Sequence, residues 1–160
     1  MTSAGSPPDD AAARARAVRG IALAARSLEH AAGDLTLAQY RVLAYVAAGT
    51  ERSSLVASGL ALAKPTVTAA VDGLVERTLL TREAIAGDRR SLRLAVTPAG
   101  EAALRAAEQA MGDRLAEILD YAGDAPTLLA ALGDLDNAIA SRMHARRQQG
   151  EAARTQQVRA

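Results

Sequence analysis

The chain has 160 residues and a formal net charge of +1, and 49% of its residues are hydrophobic against 23% charged. This balance is typical of one globular domain with enough apolar side chains for a core. The absence of cysteine excludes disulfides, thiolate metal sites, a cysteine nucleophile and a cysteine redox sensor. Because the sequence shows no signal-peptide core and no apolar run of membrane-spanning length, we expect a cytoplasmic protein without membrane segments.

The core must be aliphatic, because only 2% of the residues are aromatic and all of these are tyrosine. A core composed of Ala, Leu, Val and Ile, with few aromatic side chains, favours helices. Charge is unevenly distributed, since residues 52–97 hold seven Lys or Arg against four Asp or Glu. The central third is therefore the basic part of the chain.

The first elements are predicted to be helical. Residues 1–9 are polar and Pro-rich and predict a disordered lead-in. Apolar residues from Val18 to Leu28 recur at three- and four-residue spacing, which predicts a helix ending near Gly33. Thr36 is the predicted N-cap of a second helix. Three of the residues expected on the apolar face of that helix are Leu37, Tyr40 and Leu43.

The middle of the chain predicts two helices and a hairpin. A short helix starts at Ser53 or Ser54, and a longer one runs from about Lys64 to Arg77, with Pro65 in its first turn. The segments "LLTREAI" and "SLRLAVT" then alternate apolar and charged residues around "AGDRR", which is typical of two antiparallel strands and their turn. Two further helices follow, the first opened by Pro98.

The predicted fold class is therefore mainly α with a small β-hairpin wing. A short helix, a tight turn, a second helix and a hairpin form the winged helix-turn-helix arrangement, in which the second helix fits the major groove of DNA. Side chains suited to bases or phosphates lie on its expected outer face, and Ser53 of the preceding helix joins the predicted DNA-binding set. The members on the second helix are Lys64, Thr66, Thr68, Ala69 and Asp72. The alternative is an amphipathic surface helix with no nucleic-acid role.

The hairpin tip carries the sharper signal for DNA. Arg89 and Arg90 on a glycine turn are suited to the negative potential of a narrow minor groove. Asp88 would repel phosphate, so we expect it to orient one of these arginines through a charge-assisted hydrogen bond. A solvated hairpin tip is the alternative.

The run from Leu35 to Gly100 resembles the MarR family of bacterial transcription regulators. The matching segments are "LTLAQYRVLAYVA", "AKPTVTAAVDGLVERTLLTR" and "GDRRSLRLAVTPAG". Asp88 and Arg90 match the family's wing motif Asp-x-Arg. One departure is Thr78, where the family usually has glycine. Glycine there suits a left-handed helix exit, so Thr78 predicts a different or slightly strained one.

The resemblance implies a homodimer that reads a pseudo-palindromic operator in double-stranded DNA, most often as a repressor released by a small phenolic or anionic effector. It divides the chain into a winged helix-turn-helix domain and a helical dimerisation region around it. The predicted parts are a lead-in at 1–9, the dimerisation region at 10–33 and 98–147, the DNA-binding domain at 34–97, and a flexible tail at 148–160. The apolar stripes outside the DNA-binding domain also call for a partner chain to cover them.

Residues placed to line an effector pocket are His30, Tyr40, Arg41 and Tyr45. The two tyrosines are equally explained as large rings of the core with their hydroxyls at its edge. Neither His30 nor His144 has Cys, His or clustered carboxylates at metal-ligand spacing, so we expect no metal and no cofactor. Coordination of a cofactor by His30 across the dimer is the alternative.

No phosphate loop, nucleophile elbow or supported catalytic triad is present, so we expect no enzyme. A winged helix that binds only proteins remains the alternative to a DNA-binding regulator.

Overall fold

The computed structural model describes residues 10–49, 53–85 and 88–159, with side chains described outside residues 10, 53–55, 84–85, 88–92, 146–147 and 150–159. The described chain contains six helices and one two-stranded antiparallel sheet. In chain order the elements are α1 (Asp10–Ala31), α2 (Leu37–Ala47), α3 (Ser53–Leu60), α4 (Lys64–Glu76), β1 (Leu80–Ile85), β2 (Asp88–Val96), α5 (Pro98–Leu119) and α6 (Ala125–Arg159). The predicted order of four helices, a hairpin and two helices is confirmed.

Local signals place the helix starts where the sequence predicts them. Thr36 caps α2 with a reciprocal pair of hydrogen bonds. Its hydroxyl accepts from the Gln39 N–H over 3.2 Å, and the Gln39 side chain accepts from the Thr36 N–H over 3.0 Å. This capping box satisfies two N–H groups that a helix start otherwise leaves unpaired. Pro65 lies in the first turn of α4.

One aliphatic core joins α2, α3, α4 and the hairpin, and α5 closes it through Leu104, Ala107 and Met111. The largest fully enclosed side chains are Val42, Leu43, Val56, Leu74, Leu80 and Leu94. Tyr40 and Tyr45 pack against this core but stay partly exposed. Because α4 and the hairpin share one core, their relative positions are fixed by the same packing.

The hairpin directs an arginine toward α4. Arg82 of β1 lies opposite Leu94 of β2, and the register becomes irregular only between Ala84 and Ile85. Alternate residues of a strand share a face, so Arg82 points to the same side as the buried Leu80. Its side chain therefore starts from the core side of the hairpin, next to α4.

The buried face of α2 differs from the predicted one. The sequence predicts Leu37, Tyr40 and Leu43 on it, whereas the structure buries Val42, Leu43 and Val46, with Leu37 and Tyr40 only partly covered. The reason is that α2 packs against α3, α4, α5 and β2 together. A helix surrounded on several sides has no single stripe for periodicity to identify.

Helix α6 is longer than the sequence predicts. It continues to Arg159, through most of the segment 148–160 that is predicted to be a flexible tail. That segment is rich in Gln, Ala and Arg, all good helix formers, so the helix needs no apolar periodicity to continue. The predicted domain boundaries stay predictions.

Candidate nucleic-acid interface

Helix α4 has a sharply divided surface. Its buried residues are Val67, Ala70, Val71 and Leu74. All five residues that the sequence assigns to the outer face are exposed, namely Lys64, Thr66, Thr68, Ala69 and Asp72. The helix thus presents an amine, two hydroxyls, a methyl group and a carboxylate to solvent, which are groups that can bind phosphates and base edges.

The N-terminus of α4 has no side-chain cap. Its N-cap is Ala63, whose methyl group can accept no hydrogen bond, and Pro65 has no N–H to satisfy. The N–H groups of Lys64 and Thr66 are therefore left without a capping side chain, at the positive end of the helix dipole. Such a helix end attracts anions, and Lys64 adds a full positive charge beside it.

Helix α4 ends in a left-handed turn formed by a threonine. The Thr78 N–H donates to the Val75 carbonyl oxygen and the Leu79 N–H to that of Leu74, each over 2.9 Å. This is the Schellman pattern, and Thr78 has the left-handed φ of +59° that it requires. A non-glycine residue costs about 1–2 kcal/mol in this conformation. The exit is thus the left-handed one, and it is strained.

The same turn is joined to the start of α5. The Thr97 hydroxyl donates to the Thr78 carbonyl oxygen over 2.8 Å and accepts from the Gly100 N–H over 3.0 Å. A Cβ atom on Gly100 would lie 2.1 Å from the Leu79 carbonyl oxygen. Only glycine lets the two backbones approach so closely. The end of α4 and the first turn of α5 therefore form one tight junction.

An ion pair joins α4 to the hairpin. The Arg82 guanidinium donates to the Asp72 carboxylate, and the side chains are 35% and 54% exposed, respectively. The sequence assigns Asp72 to the DNA-facing set and assigns nothing to Arg82. The sequence did contain one signal for Arg82. Arg82 is two positions after Leu80, so the alternation of the strand places a cation on the same face as a core residue.

The predicted wing arginines fall outside the described side chains. Asp88, Arg89 and Arg90 lie at the start of β2, of which the structure describes only the backbone there. Ser53 begins α3 and is described in the same way. Their predicted contacts with DNA stay predictions.

The four residues predicted to bind an effector have different surroundings. Arg41 donates to the Leu60 carbonyl oxygen over 2.6 Å and so fastens the end of α3 to α2. The exposed His30 pairs through Nδ1 with the Arg26 carbonyl oxygen of its own helix, over 2.7 Å. Tyr40 and Tyr45 are half-buried against the core. The structure thus keeps the tyrosines at the core edge and gives one donor of Arg41 a structural partner.

Tyr40 is surrounded by groups that disfavour its ionisation. Burial raises the pKa of its phenol, and the negative charges of Glu108 and Asp136 raise it further. These carboxylates belong to α5 and α6, so three helices contribute to the surroundings of this one hydroxyl. The hydroxyl remains protonated and able to donate a hydrogen bond at neutral pH.

A separate open cavity of about 440 Å³ lies between α1 and the end of α5. None of the four predicted effector residues lines it. Its lining residues are Ser27, Arg114, Glu117, Ile118, Asp120 and Tyr121. Across the described ranges, no group of three or more His, Asp or Glu side chains is arranged to hold a metal ion. In the same ranges, no helix combines the length and apolar character needed to cross a membrane.

Two helices expose apolar side chains. Val18 and Ile21 of α1 are 66% and 48% exposed, and Leu135 and Ile139 of α6 are 39% and 50% exposed. Within the described chain, α1 packs against α5, whereas α6 makes only isolated contacts with other elements. A helix of 35 residues with an apolar stripe and so little packing leaves that stripe facing water in a single protomer.

Helices α3 and α4, the short turn between them and the hairpin that follows define a winged helix-turn-helix protein. Residues 33–91 match the model of the MarR family. This match covers α2, α3, α4, β1 and the start of β2, which carry the predicted interface. No curated protein matches the chain.

Solved structures share the fold over most of the chain. The CouR transcriptional repressor bound to a 23-mer DNA duplex is 26% identical, with 78% of this chain and 89% of that chain covered and a TM-score of 0.67. A MarR-family transcriptional regulator from Rhodococcus sp. RHA1 is 23% identical, with coverages of 77% and 88% and a TM-score of 0.66.

The PcaV transcriptional regulator from Streptomyces coelicolor, in complex with its natural ligand, is 20% identical, with coverages of 88% and 98% and a TM-score of 0.62. The matched family and these structural neighbours are transcriptional regulators and not enzymes. The chain thus has the fold of a MarR-family transcriptional regulator.

Proposed function

We propose that this protein is a homodimeric repressor that binds a pseudo-palindromic operator and is released from it by a small molecule. The single observation that carries DNA binding is the divided surface of α4, whose exposed face holds Lys64, Thr66 and Thr68 beside an uncapped helix start. A helix with this surface has what major-groove binding requires: phosphate contacts at one end and hydroxyl donors along its face.

The remaining contacts complete this interface. Arg89 and Arg90 at the wing enter the minor groove, oriented by Asp88, while Ser53 contacts the backbone from α3. Ala69 offers its methyl group to a thymine. The structural relative CouR, bound to a DNA duplex, supports this arrangement. A chromosomal target implies a cytoplasmic protein.

A second copy of the chain covers the exposed stripes of α1 and α6. Leu128, Leu135 and Ile139 of α6 are each at least 39% exposed. Burying such side chains against a partner stabilises the pair by about 1.5–3 kcal/mol for each one fully covered. Two-fold symmetry in the protein then matches two half-sites in the operator.

The effector enters between the helices of the dimerisation region and the winged domain. The residues that we propose to contact it are His30, Tyr40, Arg41 and Tyr45. The protonated Tyr40 hydroxyl offers a donor, which suits a phenolic ligand. The ligand-bound structure of PcaV supports an effector site in a protein of this fold.

The function is tested by titrating the purified protein onto DNA from upstream of its own gene, at two salt concentrations, with a scrambled duplex of equal length. We expect tight, salt-sensitive binding that prefers the upstream DNA. Equal and weak binding to both duplexes contradicts an operator within that DNA. No binding at low salt contradicts DNA binding itself and leaves the protein-contact alternative.

Two variants separate base readout from electrostatic contacts that do not depend on sequence. Arg90→Ala is expected to weaken binding to all operator variants and to lower the salt slope, whereas Thr68→Ala should change the preference among bases. If both variants bind every duplex as wild type does, these residues do not form the interface.

Dimerisation has its own test. Ile139→Asp places a charge in the exposed stripe of α6 and should convert the dimer to monomers, measured by light scattering after size exclusion. Asn137→Asp, on the same helix, exposed and on the opposite face, adds the same single negative charge and is the matched control. A dimer that survives the substitution at Ile139 contradicts an interface through this stripe.

A further inference from the structure

The Asp72–Arg82 ion pair lies where the two predicted DNA-reading elements meet. Asp72 is on the exposed face of α4, and Arg82 is on β1, ten positions later in the chain. Arg82 leaves the core side of the hairpin, since it shares a face with Leu80. Its guanidinium therefore ends between the helix and the base of the wing.

The pair contributes little to folding by itself. The Asp72 side chain is 54% exposed and that of Arg82 is 35% exposed, and ion pairs open to water to this extent stabilise a fold only weakly. The position of the pair is better explained by its place on the exposed ridge of α4. Asp72 is one and two turns beyond Thr68 and Lys64 on the same ridge of α4, which is the ridge that faces DNA in the proposed function.

A lone carboxylate on that ridge would repel DNA phosphates. Arg82 compensates this charge locally, and it does so with one of the five N–H donors of its guanidinium. The other donors point in directions fixed by the planar group once the first is held. The nearest cation along the chain, Arg77, donates instead to the Asp34 carbonyl oxygen over 2.8 Å.

We infer that Arg82 contacts a DNA phosphate and that Asp72 is its positioning residue and not a base contact. The inference rests on the proposed function, because it assumes that α4 faces DNA. Asp72 holds the guanidinium in one orientation, and the remaining N–H groups take the phosphate. Through this pair, α4 and β1 at the base of the wing also contact the same stretch of DNA backbone.

The sign of one substitution tests the inference. Removing a negative charge from a DNA-facing surface normally tightens binding, because it removes repulsion of phosphates. Asp72→Asn is expected to do the reverse, since a neutral amide oxygen holds the guanidinium less strongly than the carboxylate does and loosens its orientation. Loss of one phosphate contact should lower affinity by about fivefold at 0.15 M salt and the magnitude of the salt slope by about one.

The experiment measures affinity for the upstream duplex across a salt series for Asp72→Asn, Arg82→Gln and the double variant. We expect both single variants to lose affinity and slope, and the double variant to be no weaker than Arg82→Gln. Glu76→Gln is the matched control, since it removes an exposed carboxylate one turn further along α4. It should bind as wild type does or more tightly. Circular dichroism checks that each variant is folded.

Tighter binding by Asp72→Asn with an unchanged salt slope would overturn the inference, because Asp72 would then only repel DNA. Wild-type affinity and slope for Arg82→Gln would overturn it as well. Additive losses in the double variant would show two independent contacts. Failure of the proposed function is distinguishable, since it is seen in the wild-type protein as the absence of DNA binding.

Discussion

The hydroxyl of Thr97 donates to the carbonyl oxygen of Thr78 over 2.8 Å and so joins two helices that carry different predicted roles. Thr78 is the left-handed exit of α4, and Thr97 is the N-cap of α5. The same hydroxyl accepts from the Gly100 N–H, so one oxygen atom satisfies groups on both sides of the junction.

Replacing Thr97 by valine should destabilise the protein by about 1–2 kcal/mol, because the shape is retained while the α5 cap and the bond to Thr78 are lost. The measurement is the midpoint of urea unfolding. Thr97→Ser keeps the hydroxyl and should retain most of the stability. Wild-type stability of Thr97→Val would contradict a stabilising role of these two hydrogen bonds.

Thr78→Gly should stabilise the protein by about 1 kcal/mol, because glycine adopts a φ of +59° without the steric cost that threonine pays there. Thermal unfolding measures the change. Among the described residues, Ala61 is the other non-glycine residue with a left-handed backbone, at a φ of +51°. Ala61→Gly therefore offers a comparison at a residue whose side chain is not β-branched. A lower melting temperature for Thr78→Gly would show that its side chain contributes more than its backbone strain costs.

Gly100→Ala should be strongly destabilising, by about 3 kcal/mol, because its Cβ would lie 2.1 Å from a backbone oxygen that cannot easily move. Gly112 lies in the same helix, and a Cβ atom added there has no atom of the protomer within 4 Å. Gly112→Ala should therefore be neutral or stabilise by up to about 1 kcal/mol through helix propensity. Similar effects of the two substitutions would contradict the close approach at Gly100.

The Tyr40 phenol should ionise above pH 10.0, its ordinary pKa, because burial and two nearby carboxylates keep it protonated in the folded protein. The unfolded chain releases this proton at lower pH than the folded one does. The free energy of unfolding should therefore hold below about pH 10 and fall as the pH rises toward the folded pKa.

The absorbance difference between wild type and Tyr40→Phe follows this one phenol through an alkaline titration. A midpoint at or below pH 10 would contradict the raised pKa. Tyr40→Phe should also flatten the alkaline decline in stability.

The sequence was most informative where a local rule applies. The period of α4 separates buried Val71 from exposed Thr68, and Thr36 announces the start of α2. The fold class followed from such signals together with the family resemblance. Periodicity failed for α2 because that helix is covered on several sides, and it missed the length of α6 because helix propensity continues where the apolar stripe stops.

Contacts between distant residues were not predictable in this way. The Arg82 side chain meets Asp72 only because the hairpin lies across α4, and Arg41 meets the Leu60 carbonyl oxygen only because α3 ends beside α2. Each pair depends on tertiary packing, which neither propensity nor spacing encodes. The consequence for the candidate site is that the exposed residues of α4 could be named from the sequence, while Arg82, which pairs with one of them, could not.

The junction at Thr78 and Gly100 also links any tilt of α5 to the end of α4. Helix α5 has 22 residues and is therefore about 33 Å long. Its first turn lies directly against the Leu79 carbonyl oxygen, so the start of α5 and the exit of α4 are in close contact. A tilt of about 5° corresponds to a displacement of about 3 Å at the far end of such a rod. A rigid tilt of α5 would therefore shift the contact with the exit of the helix proposed to read the operator.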